Sequence, residues 1–376
     1  MSTTVLEKKP GQRPSAAAPV ETRLSVVDCD IHPATKSARE LFPYLSKRWQ
    51  EHMLSYGSNV RQGLADALMH PRMTPDVARL DAWPPDGSTP GSDPEFMRAH
   101  HFDANGVEYG ILIPLGRSGA SQRNLDYGAA LCTAVNDWQL GKYCDFDPRV
   151  RASITVTQEH PPAAVKEIEK RAGDKRFVQV LLPPRTIEPL GRRRYWPIFE
   201  AAVRNKLPIG LHLGGVAGHP STGSGAPSYY IEEHTSQVQT MQALIASLVI
   251  EGVFEEFPSL RIALIEGGFA WEPALCWRLD ATWKRLKSEA PHLKRAPSEY
   301  VREHFRFTTQ PIEEPENARD LRNVIDLVGV QRLMFSTDYP HWDFDDPRHA
   351  LSNAGLSEAE KRQIYSGNAK QFYGLQ

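Results

Sequence analysis

Cysteines are few in this sequence and follow no pairing pattern. Cys29, Cys132, Cys144 and Cys276 form neither a CxxC pair nor the spacing of a zinc knuckle or a disulfide framework. The sequence also lacks an apolar run near the roughly 18 residues that a membrane span requires. These absences argue against a disulfide-rich secreted domain and against a membrane protein, so we expect a soluble cytoplasmic protein with reduced thiols.

An excess of charge of either sign is also absent. The chain has 44 Lys and Arg residues against 46 Asp and Glu residues, a net charge of -2, and neither sign forms a long block. A basic field that would hold nucleic acid is therefore missing. The amino-terminal segment lacks the continuous apolar stretch of a signal peptide, and we expect residues 1–23 to form a disordered leader.

The sequence does contain a repeated alternation of strand and helix patterns. Eight short apolar or β-branched runs, most of them followed by helical spacing, cover residues 25–30, 109–115, 152–157, 177–182, 207–213, 260–266, 305–309 and 332–338. Near-continuous apolar runs are typical of parallel strands that helices cover on both faces. The alternation predicts a (β/α)8 TIM barrel, formed as one domain by residues 24–376.

One connection is much longer than the others. About 78 residues separate Asp30 from Tyr109, far more than the few residues usual between a strand and the next helix. Within it, residues 41–53 and 60–68 have helical spacing, whereas residues 83–96 are rich in turn residues. An insertion at this position leaves from the catalytic end of the barrel, so residues 33–105 are predicted to form a cap over the mouth.

Polar side chains end several of the predicted strands. Asp30 and His32 close the first strand, His212 lies near the end of the fifth, Glu266 ends the sixth, and Asp338 ends the eighth. The carboxyl ends of parallel barrel strands form one rim, where barrel enzymes place their catalytic groups. Imidazoles and carboxylates that converge there form a mixed nitrogen and oxygen set suited to zinc, manganese or another divalent ion.

Other polar residues near the rim are candidates for contacts with a small-molecule substrate. Arg117 and Arg185 follow the second and fourth strands, where a guanidinium can clamp a carboxylate. His341 lies close to Asp338, and its expected place is the pocket wall or a position that orients Asp338. Trp271, His219 and His234 are placed in loops or turns near the rim. His100, His101 and His160 are expected to be solvated.

Several motifs together resemble the amidohydrolase-related family. They are the opening DxDIH, LHLGG on strand five, IEGGFAWEPALCWRLD on strand six, LMFSTDYPHWDFDDP after strand eight, and the terminal GNAKQFYGL. The chain is similar, over residues 24–375, to the branch that contains aminocarboxymuconate semialdehyde decarboxylase and the hydroxybenzoate decarboxylases. The resemblance implies a metal-bearing barrel whose ligands fall on Asp30, His32, His212 and Asp338.

Two positions depart from the family pattern. The first ligand is commonly His or Glu, and Asp30 is shorter but keeps an oxygen donor. Related decarboxylases usually carry a histidine on strand six, where this chain has Glu266. Glu266 is a candidate metal ligand, general base or partner for a cationic substrate group, and the sequence leaves these three roles open.

The resulting functional hypothesis is a metal-dependent enzyme that acts on a small carboxylated or aromatic molecule. We expect hydrolysis, in which one divalent ion activates a water and Asp338 or Glu266 takes its proton. Zinc is the expected ion, and manganese and iron are the alternatives. The alternative is non-oxidative decarboxylation of an aromatic or unsaturated acid, and a more remote one is a non-catalytic scaffold. The family resemblance and the aromatic residues of 339–344 predict a homodimer.

Overall fold

The computed structural model describes residues 24–57, 77–213 and 223–376, and it shows eight parallel strands in sequential order around a barrel. The strands are β1 (Val26–Ile31), β2 (Val107–Leu112), β3 (Val150–Thr155), β4 (Phe177–Leu182), β5 (Ile209–His212), β6 (Ile262–Ile265), β7 (Phe305–Thr308) and β8 (Leu333–Met334). Each strand pairs in parallel with the next. The predicted (β/α)8 barrel is therefore confirmed.

The barrel closes between its last and first strands. The backbone N–H of Cys29 donates to the carbonyl oxygen of Phe335 at 3.1 Å, and Ile31 forms a parallel bridge with Tyr339. β8 itself is only two residues long, because the chain leaves regular strand geometry after Met334. The prediction that Asp338 ends a strand was therefore wrong: Asp338 lies in the irregular segment that follows β8, where β1 closes the barrel.

Helices cover the outside of the barrel and occupy the long connections. They are α1 (Lys47–Tyr56), α2 (Pro94–Met97), α3 (Leu125–Gln139), α4 (Pro161–Arg171), α5 (Trp196–Arg204), α6 (Tyr230–Ser236), α7 (Val238–Ile250), α8 (Val253–Glu256), α9 (Glu272–Arg285), α10 (Pro297–His304), α11 (Ala318–Val328), α12 (Glu358–Arg362) and α13 (Asn368–Tyr373). α7 shows why they form: Met241, Ile245 and Leu248 recur at steps of three and four and are buried. Such spacing gives a helix one apolar face.

The insertion between β1 and β2 contains α1, α2 and short turns of 3₁₀ and π helix. α2 begins where Asp93 accepts hydrogen bonds from the backbone N–H groups of Glu95 and Phe96, with Pro94 at the first helical position. Gly91 adopts a positive φ of 77°, and a side chain there would meet the carbonyl oxygen of His32 at 2.3 Å. The turn-rich part of the insertion is thus packed directly against the end of β1.

Three predictions fall outside the described residues: the leader at 1–23, the helix at 60–68 and the position of His219. In the part of the chain that the structure describes, no helix combines the length and the hydrophobicity needed to cross a bilayer.

Candidate active site

Five polar residues meet at the carboxyl end of the barrel, and we call Asp30, His32, His212, Glu266 and Asp338 the Asp30 cluster. Asp30 is on β1, His32 is the first residue after that strand, and His212 is the last residue of β5. Because parallel strands end at one rim, these side chains converge although they are far apart in sequence.

Glu266 and Asp338 are held in a backbone conformation that residues other than glycine rarely adopt. Their φ angles are 58° and 63°, directly after β6 and in the segment after β8. The backbone N–H of Glu266 donates to Thr308 Oγ1 at 3.0 Å, which helps to fix this turn. Such strain persists where the surrounding structure determines it and is concentrated at functional sites.

The side chains of the Asp30 cluster approach one another closely. His32 Nε2 is 3.1 Å from Asp30 Oδ1 and 2.6 Å from Asp338 Oδ1. His212 Nε2 is 3.5 Å from Asp30 Oδ2 and 2.8 Å from Glu266 Oε2. One ligand atom from each of Asp30, His32, His212 and Glu266 lies within 4.8 Å of all the others.

The hydrogen bonds of the two imidazoles determine which atoms face this centre. Nδ1 of His32 donates to the Ile113 carbonyl oxygen at 2.9 Å, and Nδ1 of His212 donates to the Leu213 carbonyl oxygen at 2.6 Å. With Nδ1 as the donor, Nε2 is the atom of each ring that faces the centre, and in a neutral imidazole this atom carries a lone pair. Among the described residues, both Nε2 atoms and both oxygens of Asp30 are buried without a hydrogen-bond partner.

This donor set fits a divalent cation. Unpaired buried acceptors that face one another are unfavourable unless a positive charge lies between them. Imidazole nitrogens whose second nitrogen is held by a carbonyl oxygen, together with carboxylate oxygens, are ordinary ligands for zinc, manganese and iron. The geometry thus supports the predicted placement of a divalent ion at this rim.

Burial and mutual charge shift the proton affinities in the Asp30 cluster. Burial works to lower the pKa of His212, but the carboxylates of Asp30 and Glu266 raise it well above its usual value. Burial and the charge of Glu266 raise the pKa of Asp338 well above its usual value. Burial works to raise the pKa of Asp30, but the imidazoles of His32 and His212 lower it below the normal range. Protons and a divalent cation therefore compete for the same atoms.

A second group of polar side chains, which we call the Asp343 cluster, contains His234, Gln310 and Asp343. His234 Nε2 donates to Asp343 Oδ2 at 2.9 Å, and Gln310 Nε2 donates to the same oxygen at 2.9 Å. The hydrogen bond to Asp343 raises the pKa of His234. Ligand atoms of His234, Asp343 and Glu266 also lie within 4.8 Å of one another. Glu266, a member of the Asp30 cluster, therefore also lies beside the Asp343 cluster.

The sequence interpretation missed the Asp343 cluster as a unit and misplaced His101. His234 lies in α6 rather than in a loop, and its contact with Asp343 joins residues that are distant in sequence. The expectation that His101 is solvated was wrong: it is fully buried and donates through Nε2 to Asp28 at 2.7 Å. The buried partner explains this, since a polar ring can lie in the interior when its hydrogen bonds are satisfied.

Two cavities adjoin the Asp30 cluster. A cavity of about 160 Å³ lies beside His212, and its other lining residues are mostly apolar or small: Pro114, Leu115, Ser118, Ala120, Ser121, Thr155, Leu181, Leu182, Pro183 and Leu213. A second cavity of about 290 Å³ lies beside His32 and His341 and includes Lys36 and Arg117. The mouth thus offers an apolar recess on one side of the cluster and a more polar one on the other.

The other predicted substrate contacts divide into two pairs. His341 stacks on His32 with ring centroids 4.2 Å apart and lies 2.7 Å from Asp338 Oδ1, and Arg117 donates to Thr35 Oγ1 in the polar cavity. Arg185 lines a separate cavity of about 670 Å³ against α7. Trp271 packs on Phe307, and its indole N–H donates to the Gly267 carbonyl oxygen at 2.8 Å. The structure therefore brings His341 and Arg117 to the cluster and places Arg185 and Trp271 elsewhere.

The fold and these motifs match a known family model. The model described as Amidohydrolase matches residues 27–375, which is nearly the whole chain. The chain belongs to the amidohydrolase family. This membership confirms the resemblance seen in the motifs of β1, β5, β6 and the segment after β8, and with it the prediction of a metal-dependent enzyme of the hydrolase or carboxy-lyase type.

Similar proteins include several decarboxylases. A gamma-resorcylate decarboxylase from Polaromonas sp. is 26% identical over 294 residues, which are 75% of this chain and 88% of the relative. The structure of 5-carboxyvanillate decarboxylase from Sphingomonas paucimobilis has a TM-score of 0.67 at 20% identity and covers 94% of this chain and 100% of its own. A dihydroxybenzoic acid decarboxylase from Polaromonas sp., solved with manganese and 2-nitroresorcinol, has a TM-score of 0.65 at 20% identity, with 94% and 97% coverage.

Proposed function

We propose that this chain is a divalent-metal-dependent decarboxylase of an aromatic or unsaturated carboxylic acid. The observation that carries the proposal is the set of buried, unpaired donor atoms of Asp30, His32 and His212, which borders an apolar cavity. The decarboxylases among its relatives favour this reaction over the hydrolysis that the sequence placed first.

Asp30, His32, His212 and Asp338 are the proposed ligands of one divalent ion. Their nitrogen and oxygen donors suit both zinc and manganese, and the manganese in a neighbour of the same fold makes manganese the first ion to test. When bound, the ion supplies positive charge that holds the substrate carboxylate and an adjacent oxygen.

The apolar cavity has room for an unsaturated ring. Its volume of about 160 Å³ is comparable to the engineered apolar cavity of about 150 Å³ that binds benzene. Pro114, Leu182 and Leu213 are among the apolar residues that line it beside His212. A ring held there has its carboxyl group directed to the Asp30 cluster, and exclusion of water strengthens the electrostatic contacts of that group.

Glu266 is the proposed proton donor to carbon. When the bond to the carboxyl carbon breaks, the electron pair stays on the ring or chain carbon, carbon dioxide leaves, and that carbon takes a proton. The Glu266 side chain is 13% exposed toward the mouth, whereas that of Asp338 is 1% exposed. Of these two carboxyl groups, Glu266 is therefore the one that solvent can reprotonate after its proton has passed to carbon.

We also propose that the insertion of residues 33–105 forms part of the substrate cavity. Thr89 and Pro90 line the polar cavity beside His32. The next residue, Gly91, packs against the His32 carbonyl oxygen, where a side chain would not fit. Shortening the turn-rich residues 83–96 is expected to raise the Michaelis constant more than it lowers metal content. Unchanged Michaelis constants across several substrates would contradict a cap.

We further propose that the protein is cytoplasmic. All four cysteines are buried free thiols, which is compatible with the proposed cytoplasmic location. We propose a homodimer, and light scattering of the purified protein at several concentrations tests it.

The reaction is tested with manganese-loaded enzyme in heavy water, offered a panel of hydroxybenzoates and unsaturated diacids. Release of carbon dioxide, with one deuteron at the carbon that carried the carboxyl group, is the expected result. A parallel panel of amides and lactones in ¹⁸O-labelled water tests the hydrolysis alternative. Label in those products, without carbon dioxide from any acid, would contradict the proposal and restore hydrolysis.

A further inference from the structure

Asp28 and Asp30 are two residues apart on β1, and their carboxylates differ in how many hydrogen bonds they accept. Both are fully buried. Asp30 has no hydrogen-bond partner for either side-chain oxygen among the described residues. Asp28 accepts four hydrogen bonds, from the Asp30 N–H at 3.1 Å, the Thr337 N–H at 2.9 Å, Thr337 Oγ1 at 2.5 Å and His101 Nε2 at 2.7 Å. A carboxylate has about four lone-pair sites, so Asp28 has none left for a cation.

The donors to Asp28 come from the segments that carry the Asp30 cluster and from the insertion. Asp30 contributes its own backbone, and Thr337 directly precedes Asp338. His101 comes from the π-helical turn Arg98–Asp103 of the insertion. Asp28 therefore fixes β1, the segment after β8 and the insertion relative to one another.

The hydrogen bonds of His101 are also complete. Its Nδ1 accepts from Asn105 Nδ2 at 3.2 Å, so both ring nitrogens have a hydrogen-bond partner. Its ring stacks on Tyr339 with centroids 4.5 Å apart and an interplanar angle of 10°. The carbonyl oxygen of Tyr339 accepts the backbone N–H of His32 at 2.7 Å. The insertion is thus linked through His101 to the backbone of a second proposed ligand.

We infer that Asp28 and His101 are positioning residues that hold Asp30, His32 and Asp338 in the geometry that binds metal. This inference rests on the proposed metal site and adds a role for the insertion, which supports the ligands as well as covering the mouth. A fully satisfied network in the low-dielectric interior favours one arrangement of the groups that it joins. Loss of one member should therefore disturb ligand geometry although no ligand is removed.

The test measures manganese affinity and thermal stability for the full-length protein and four variants. His101→Leu removes the donor to Asp28. Thr337→Val removes, at nearly constant shape, the hydroxyl that donates to Asp28 and accepts the Tyr339 N–H at 3.2 Å. His101→Gln restores an N–H donor close to the position of Nε2. Glu272→Gln is the matched control, because the Glu272–Arg332 pair is equally buried, with 2.9 Å between its charged atoms, but joins α9 to the residues before β8. Free manganese is followed by electron paramagnetic resonance during titration.

We expect His101→Leu and Thr337→Val to weaken manganese binding by roughly 10–100-fold, the usual effect of losing a group that orients a ligand. His101→Gln should bind manganese more tightly than His101→Leu, and Glu272→Gln should lower the melting temperature without changing affinity. Wild-type affinity in Thr337→Val, or an equal loss in Glu272→Gln, would overturn the positioning role. If His101→Leu does not fold, Thr337→Val and His101→Gln decide the question. Failure of the wild-type protein to bind manganese or zinc would refute the proposed function itself.

Discussion

The Asp30 cluster and the Asp343 cluster lie side by side, since Glu266 of the first also approaches His234 and Asp343, but they differ in how their polar atoms are hydrogen-bonded. In the first, Nε2 of His32, Nε2 of His212 and both side-chain oxygens of Asp30 are buried without a hydrogen-bond partner among the described residues, while each Nδ1 bonds a backbone carbonyl oxygen. In the second, His234 donates directly to Asp343. Similar residue types at similar separations therefore indicate a cation site in one place and a hydrogen-bonded pair in the other. The difference lies in which ring nitrogen has a hydrogen-bond partner: Nδ1 in His32 and His212, and Nε2 in His234.

The largest expected effect comes from His212→Ala, which removes an unpaired Nε2 from the Asp30 cluster. Losing a ligand should weaken metal binding at least as much as losing a group that orients one, by more than about 100-fold, with activity lost in parallel. Metal analysis and circular dichroism measure occupancy and fold. His349→Ala changes an exposed histidine and serves as the control. Full metal occupancy in His212→Ala would end the ligand assignment.

Glu266→Gln examines the residue that both clusters approach. We expect metal to be retained and turnover to fall by roughly 10²–10⁴, the usual contribution of a positioned acid–base group, because glutamine has the shape but not the proton of Glu266. Glu200→Gln, at an exposed side chain, is the matched control. Loss of the ion in Glu266→Gln would instead make Glu266 a ligand and move the proton-donor role to Asp338.

His234→Ala should have a smaller effect, because its hydrogen bond to Asp343 is complete without a metal. We expect unchanged metal content and a reduction in turnover well below that of Glu266→Gln. Metal loss as large as in His212→Ala would show that the two clusters are one metal-binding unit, and the contrast between them would fail.

The smallest expected effect concerns stability and Asp345, which accepts the Ile312 N–H beside the Asp343 cluster. Burial, with the nearby charge of Asp343, raises the pKa of Asp345 to about 7. The folded protein therefore holds this proton more tightly than the unfolded chain, and the stability that it contributes is present below about pH 4 and is lost as pH rises toward 7. Melting temperatures between pH 4 and 8 should show this decline in the wild type and less of it in Asp345→Asn. Parallel curves for the two proteins would disprove the shift.

Much of the fold follows from local sequence pattern. The run at 177–182 predicts β4 with the bounds that the structure shows, because its apolar residues are buried on both faces. The positions of Asp30, His32 and His212 at strand ends follow from the same pattern. Barrel topology then brings them together without any knowledge of the loops.

The parts that local pattern misses depend on contacts between distant segments. The partner of His101 is Asp28, 73 residues earlier in the chain, and His234 pairs with Asp343, 109 residues later. Neither pair is visible until the fold brings these distant segments together. The positive φ angles of Glu266 and Asp338 are likewise set by their surroundings rather than by their residue type.

Anomalous scattering from crystals soaked in manganese tests whether the Asp30 cluster binds the ion, because it locates the ion independently of any reaction. We expect one peak in contact with His32 Nε2, His212 Nε2 and Asp30, and an intact hydrogen bond between His234 and Asp343 with no peak between them. A peak between His234 and Asp343, or none beside His32 and His212 at saturating manganese, would contradict this expectation.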